Sequence, residues 1–216
     1  MLVLQGGPGL SSRSVAPIVE LLRDNFRVTR LDQTAWTVAD ALAQLEAARR
    51  EAGEESWFVV GHSWGAALAA LYAREHPERV RGLILAHPLE ISSAFCDHAG
   101  DLLCGGDDPF AMDHDADVSA MLWEDLEATS PDTAEEGYDL APVARGITAP
   151  ALVLLGDGDA IDPRSGQLWA ELTNARLITL AEAGHWSFVE RPAEFQQAVM
   201  EFLITHAARR VMAAVS

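Results

Sequence analysis

The stretch Gly61-His62-Ser63-Trp64-Gly65 constrains this chain more than any other. An apolar run, Trp57–Val60, stops where it begins, and a helix-forming run, Ala66–Arg74, starts where it ends. The pattern predicts a strand, a sharp turn and a helix, with Ser63 at the turn. A serine hydroxyl is a poor nucleophile unless it is held clear of the backbone beside a base, and such a turn holds it that way. The flanking glycines are expected because other backbone must pack closely against both positions.

Two backbone amides are candidates for binding an oxyanion formed beside this serine. The first is the amide of Trp64, at the N-terminus of the predicted helix. The second is Gly7, because the short β-type run Leu2–Leu4 enters the glycine-rich loop Gln5–Gly9. The alternative for this loop is an ordinary Pro-Gly turn. It lacks the Gly-x-Gly-x-x-Gly spacing of a dinucleotide loop.

Strand-like and helix-like runs alternate along most of the chain. Strands are predicted at Leu2–Leu4, Phe26–Leu31, Trp57–Val60, Gly82–Ala86, Ala151–Leu155 and Ala175–Leu180; helices are predicted at Ser14–Asp24, Thr37–Arg50, Ala66–Arg74, Pro163–Leu172 and from Pro192 onward. This alternation predicts an α/β fold, with a mainly parallel sheet of about six strands and helices on both faces. Residues 1–87 and 150–216 form the predicted core.

Residues 88–149 interrupt this rhythm. The segment is rich in Asp, Gly and Pro, has a modest helical pattern at Val118–Ala128, and holds no basic residue until Arg145. It is predicted to be a small acidic cap inserted over the functional edge of the sheet. The alternative is a flexible, partly ordered excursion.

Composition excludes several classes of partner. The net charge is −18 and the chain has no lysine, which argues against binding nucleic acid or anionic membrane surfaces. The longest apolar stretches are too short and too interrupted to cross a bilayer. Cys96 and Cys104 follow no signal peptide, so a reduced, cytoplasmic location is expected. Their spacing matches no zinc pattern, and we expect neither metal nor cofactor.

Ser63, Asp159 and His185 each follow a predicted strand, in the order nucleophile, acid, histidine. Because the carboxyl ends of parallel strands share one edge, these residues are expected to converge there. His185 would accept the proton of Ser63, and Asp159 would orient the imidazole. Asp157 is an alternative to Asp159 for this role. The alternative for His185 is a structural role, as a helix cap or as a loop histidine with satisfied hydrogen bonds.

With these residues, the chain resembles the α/β-hydrolases. The resemblance rests on Gly61–Gly65, Gly156–Asp159, Ala183–Trp186 and Glu190–Pro192, and it selects Asp159 over Asp157 as the acid. Within that family, Gly6–Gly9, Asp32-Gln33 and Ser63–Gly65 look most like the proline iminopeptidase branch. That branch releases N-terminal proline from peptides and uses acidic residues of the cap to hold the substrate's amino group.

The chain departs from the pattern of that branch in three places. Gln5 stands where a histidine is usual, Thr34–Trp36 replaces a glycine- and serine-containing motif, and the first two strands of the family are missing before Met1. A short natural form, a misplaced start or a fragment would each explain the last departure. The strand at Phe26–Leu31 would then be an exposed edge through which two copies of the chain can pair.

These observations lead to one preferred hypothesis and two alternatives. The preferred one is a serine hydrolase that cleaves a small-molecule or short-peptide amide or ester, with an aminopeptidase like the proline iminopeptidases as the specific form. The first alternative is a carboxylesterase or lactonase. The second is a non-catalytic binding protein with an α/β-hydrolase fold.

Overall fold

A parallel sheet forms the centre of the protein. The computed structural model describes residues 1–7, 9–93, 124 and 138–213. Its strands are β1 (Leu2–Leu4), β2 (Thr29–Arg30), β3 (Trp57–His62), β4 (Val80–Ala86), β5 (Ala151–Gly156) and β6 (Arg176–Leu180). They are ordered β2-β1-β3-β4-β5-β6, and every pair is parallel. The predicted α/β class and the strand count are confirmed.

The described helices are α1 (Ala16–Leu22), α2 (Val38–Glu51), α3 (Trp64–Glu75), α4 (Ala141–Arg145), α5 (Pro163–Thr173), α6 (Ser187–Glu190) and α7 (Pro192–Ala213). Thr37 caps the N-terminus of α2, because its hydroxyl accepts from the amide of Asp40. Before α1 the chain differs from the prediction. A 3-10 turn, Ser12–Val15, precedes the helix, and Ser11 caps that turn.

Apolar side chains fill both faces of the sheet. Along β3 every residue is buried, and successive side chains point to opposite faces. Val59 therefore belongs to the core beneath α2, α3 and α5, whereas Val60 belongs to the core beneath α1 and α7. This two-sided burial explains why β3 reads as a continuous apolar run rather than an alternating one.

The edge strand is shorter than predicted. Phe26–Leu31 was expected to pair throughout, but only Thr29 and Arg30 pair, opposite Leu2 and Val3. Phe26 and Val28 still pack against the core beneath α1, so their apolar pattern reflects burial rather than strand pairing. The topology does place β2 at the edge of the sheet.

The ends of the predicted cap meet at one point. The Leu140 amide donates to the carbonyl of Ile91 over 2.7 Å, and the Ser93 amide donates to the carbonyl of Tyr138 over 3.0 Å. Residues 91–93 and 138–140 therefore lie side by side. The predicted helix at Val118–Ala128, apart from Glu124, lies outside the described residues, as do Cys96 and Cys104.

Among the described helices, none combines the length and apolar character that crossing a membrane requires.

Candidate active site

Ser63 stands between the last residue of β3 and the first residue of α3. Its backbone has φ 53° and ψ −120°, a conformation that a residue with a side chain rarely adopts. The surrounding backbone holds it there, because its amide donates to the carbonyl of Ala86 over 3.0 Å and its carbonyl accepts from Ala66 and Leu89. A strained conformation fixed from several directions is typical of a functional residue.

The glycines that flank this turn leave no room for a side chain. A Cβ atom on Gly61 would lie 2.2 Å from the carbonyl oxygen of Gly65. A Cβ atom on Gly65 would lie 2.4 Å from the carbonyl oxygen of Gln5. Glycine at both positions therefore lets α3 start directly against β3 and the end of β1, as the Gly-x-Ser-x-Gly spacing predicts.

The glycine-rich loop after β1 lies against the serine. A Cβ atom on Gly6 would come within 3.3 Å of Cβ of Ser63. Gly7 has φ 114°, which glycine adopts without steric cost. Trp64 begins α3, so its amide belongs to the helix N-terminus, and its indole donates to Oε1 of Gln33 over 3.0 Å. Both predicted oxyanion donors thus belong to segments that adjoin Ser63.

The structure brings Asp159 and His185 together. Nδ1 of His185 lies 3.0 Å from Oδ1 of Asp159. Asp157 instead accepts from the amide of Ala183 over 3.3 Å. Burial by itself would raise the pKa of Asp159, but hydrogen bonds from His185 and His87 outweigh it and lower the pKa well below the usual range. The carboxylate therefore stays ionised beside the imidazole.

A close backbone contact joins the two loops that carry these residues. A Cβ atom on Gly156, the last residue of β5, would lie 2.1 Å from the carbonyl oxygen of Ala183. The loop that bears His185 therefore lies directly on the end of β5, from which Asp159 follows three residues later.

His87 was missed by the sequence analysis. It is fully buried and follows β4, and its Nδ1 bonds to Oδ2 of Asp159 while its Nε2 lies 2.6 Å from Oγ of Ser187. A usable signal was present, because His87 directly follows the predicted strand Gly82–Ala86. The strand-end rule that selected Ser63 and Asp159 selects this residue as well.

Glu90 is a second residue that the sequence analysis did not single out. Its side chain is fully buried, and among the described residues neither carboxylate oxygen has a hydrogen-bond partner. Burial raises the pKa of this group. The amide of Leu89 donates to the carbonyl of Ser63. Glu90 therefore directly follows a residue that is hydrogen-bonded to the serine turn.

His87, Asp159 and His185 are also residue types that bind metal ions, and their ligand atoms lie within 4.8 Å of one another. Hydrogen bonding accounts for the grouping, because each imidazole Nδ1 is already paired with a different oxygen of Asp159. A metal ion would have to replace both of these N–H···O contacts.

Comparison with known proteins agrees with this architecture. The profile of the alpha/beta hydrolase fold family matches residues 1–126. A proline iminopeptidase of Heyndrickxia coagulans is 20% identical over 259 aligned residues, which cover 94% of this chain and 90% of the relative. A 2-hydroxymuconate semialdehyde hydrolase of Pseudomonas putida is 27% identical over 203 residues, covering 81% of this chain and 70% of the relative.

A solved structure gives the same picture of the fold. The crystal structure of proline iminopeptidase from Mycobacterium smegmatis superposes with a TM-score of 0.77 at 22% identity, covering 97% of this chain and 90% of that one. The family match spans more than half of the chain, and the sheet order, the serine turn and the strand-end residues fit it. This chain belongs to the alpha/beta hydrolase fold family.

Proposed function

We propose that this hydrolase acts through Ser63 as a nucleophile, with His185 as general base and Asp159 as the residue that orients it. The observation that carries the proposal is the 3.0 Å contact between Nδ1 of His185 and Oδ1 of Asp159. It lies at the same sheet edge as a serine whose φ is 53°. A carboxylate on Nδ1 leaves Nε2 as the proton acceptor, which is the tautomer that acyl transfer requires.

The reaction proceeds in two halves. Oγ of Ser63 attacks the substrate carbonyl carbon while Nε2 of His185 takes the hydroxyl proton. The amides of Gly7 and Trp64 bind the oxyanion, and each such donor contributes about 3 kcal/mol of barrier lowering. His185 then gives the proton to the departing amine or alcohol. Water, deprotonated by His185, releases the acyl group and restores Ser63.

The best specific substrate is a short peptide with N-terminal proline. Support comes from the proline iminopeptidase of H. coagulans, which aligns over 90% of its own length. A carboxylesterase or lactonase is the second candidate. The P. putida relative, at 27% identity, leaves room for it, because that protein is a hydrolase and is not a peptidase by name.

The expectations about surroundings and partners belong to the same proposal. A net charge of −18 disfavours nucleic acid and anionic membranes as partners. The proposed enzyme is cytoplasmic and uses neither metal nor cofactor. Pairing of two copies through β2 is supported by the position of that strand at the sheet edge.

Labelling with a fluorophosphonate probe tests the mechanism. The wild type should be labelled and Ser63→Ala should not, with circular dichroism confirming that both are folded. A folded wild type that resists the probe would contradict serine activation and would favour the non-catalytic alternative.

Paired substrates test the specificity. A prolyl anilide and a short acyl ester are offered to the same preparation, with Ser63→Ala as the blank. Cleavage of the anilide supports the aminopeptidase. Cleavage of the ester with an untouched anilide would replace it with a carboxylesterase or lactonase.

A further inference from the structure

The carboxylate of Asp159 is shared between two imidazoles. Its side chain is 2% exposed. Oδ1 accepts from His185 and from the amide of Ile161, each over 3.0 Å, and Oδ2 is bonded to Nδ1 of His87. A serine–histidine–aspartate mechanism needs only the first of these imidazoles, so the second requires an explanation.

The protonation of His87 follows from its partners. An ionised carboxylate only accepts hydrogen bonds, so Nδ1 of His87 must carry the hydrogen. Burial lowers the pKa of His87, which keeps the ring neutral and leaves Nε2 as an acceptor. The hydroxyl of Ser187, 2.6 Å away, therefore donates to Nε2. The hydrogen bonds run in one direction, from Ser187 through His87 to Asp159.

His87 is held in an unusual backbone conformation. Its φ is 48°, in the left-handed region that disfavours residues with a side chain. Its amide donates to the carbonyl of Leu154 over 2.7 Å, which ties it to β5. Both Ser187 and His87 are fully buried, so this serine and histidine are closed to a substrate. A strained, buried histidine with both ring nitrogens bonded is placed to act on its neighbour.

We propose that His87, oriented by Ser187, is a positioning residue that fixes the Asp159 carboxylate so that Oδ1 points at Nδ1 of His185. This inference rests on the proposed serine-hydrolase function. With Oδ2 anchored, the carboxylate cannot rotate about its last bond, and Oδ1 stays in contact with Nδ1 of His185. His87 also takes part of the negative charge of Asp159, which limits how strongly Asp159 stabilises the charged form of His185.

The titratable groups around this cluster come from several elements. Among the described residues, His62, Glu90 and Glu190 interact electrostatically with members of this cluster, and Asp162 interacts with Glu90. Each of them is left unchanged in the variants below, so a changed pH profile reports the loss of the His87 contact.

His87→Gly is the decisive variant. Glycine accepts the positive φ without cost, so the change removes the ring and relieves the backbone rather than straining it. We expect kcat to fall about tenfold to a hundredfold, because the carboxylate is no longer fixed, with KM nearly unchanged. The acid limb of kcat/KM should move to higher pH, because Asp159 now gives its full charge to His185. Added imidazole should restore activity by filling the vacated space.

Ser187→Ala keeps the His87 ring and removes only the donor to Nε2. It should lower kcat less than His87→Gly does and shift the acid limb in the same direction. The matched control is Ser165→Ala, which also truncates a fully buried serine hydroxyl but one bonded to the amide of Ile91. Ser165→Ala should leave the pH profile unchanged.

Proton NMR of the folded protein gives a readout that does not depend on turnover. Hydrogen-bonded imidazole N–H resonances are expected from His87 and His185, both bonded to Asp159, and a third from His62, bonded to the His185 carbonyl. His87→Gly should lose one of the two Asp159 resonances, and a wild type with only one of those two would overturn the shared carboxylate. If the wild type is active and the His87→Gly variant matches it in kcat and pH profile, the positioning role of His87 is overturned and the serine-hydrolase proposal is not. A wild type with both resonances but no probe labelling would overturn the hydrolase proposal and, with it, the purpose of this contact.

Discussion

Nε2 of His62 lies 2.9 Å from the backbone carbonyl oxygen of His185. The residue before the candidate nucleophile thus donates to the residue proposed as the base, across 123 positions of sequence. Burial, with the neighbouring histidines, lowers the pKa of His62 well below its usual range, so its ring is neutral and Nε2 carries the hydrogen. The β3–α3 turn and the loop after β6 are held together at the point where chemistry is proposed.

Replacing His62 should therefore disturb catalysis through His185. His62→Leu leaves the His185 carbonyl without this donor and should cost about 1–3 kcal/mol of unfolding free energy, together with a lower kcat. His62→Gln keeps an N–H donor and should recover part of both. Urea unfolding and steady-state kinetics measure the two effects. Equal behaviour of the two variants would show that the hydrogen bond is unimportant.

Asp159→Asn should abolish most activity. An asparagine side chain has only one acceptor oxygen, so its NH2 group would face one of the two imidazole N–H groups. It also carries no charge to stabilise a charged His185, so kcat should fall about 10³–10⁴-fold. Asp157→Asn is the matched control, because Asp157 lies two residues away, is exposed and accepts from the backbone amide of Ala183. Its kcat should stay within a few-fold of the wild type. A comparable loss of kcat in both variants would contradict the assignment of Asp159 as the acid.

The contact between Gly65 and Gln5 predicts a large effect on folding. Gly65→Ala places Cβ 2.4 Å from a backbone oxygen that cannot move without shifting β1, so the loss should reach or exceed about 3 kcal/mol. Gly53→Ala is the comparison, since within the described part of the chain no atom beyond its sequence neighbours lies within 4 Å of the added Cβ, and the cost comes from its φ of 70°. That variant should lose about 1–2 kcal/mol. Thermal unfolding of both, followed by circular dichroism, ranks them.

Glu90→Gln should stabilise the protein at neutral pH. Because the folded pKa of Glu90 is raised, the folded state holds a proton that the unfolded state has released, so the contribution of Glu90 to stability falls as pH rises above the unfolded pKa of about 4.3. Glutamine has nearly the same shape and does not ionise. The gain over wild type should therefore be largest near pH 7 and should shrink as pH falls toward 4.

Urea unfolding across this pH range provides the measurement for Glu90. Glu171→Gln, at an exposed position of α5, is the matched control. A Glu90→Gln protein that is less stable than wild type at pH 7 would mean that the charged form of this carboxyl is stabilised in the folded state.

Local patterns carried most of the fold. The serine turn was predictable because its strand, its two glycines and its helix are adjacent in sequence, and steric exclusion acts over those few residues. Burial of β3, β4 and β5 on both faces leaves continuous apolar runs, which mark these strands directly. Phe26–Leu31 was overextended because apolar residues that pack beneath α1 produce the same pattern as residues that pair in a strand.

The sequence alone determined which residue types stand at the carboxyl ends of the strands, because hydrophobic periodicity and turn residues are local properties. It could not determine which of those residues touch. Asp159 meets His87, 72 positions away, and His185, 26 positions away, only because the parallel order of β4, β5 and β6 and the loops beyond them bring three strand ends together. Burial then removes water from this cluster, and only the tertiary structure sets the protonation and the pairing that result.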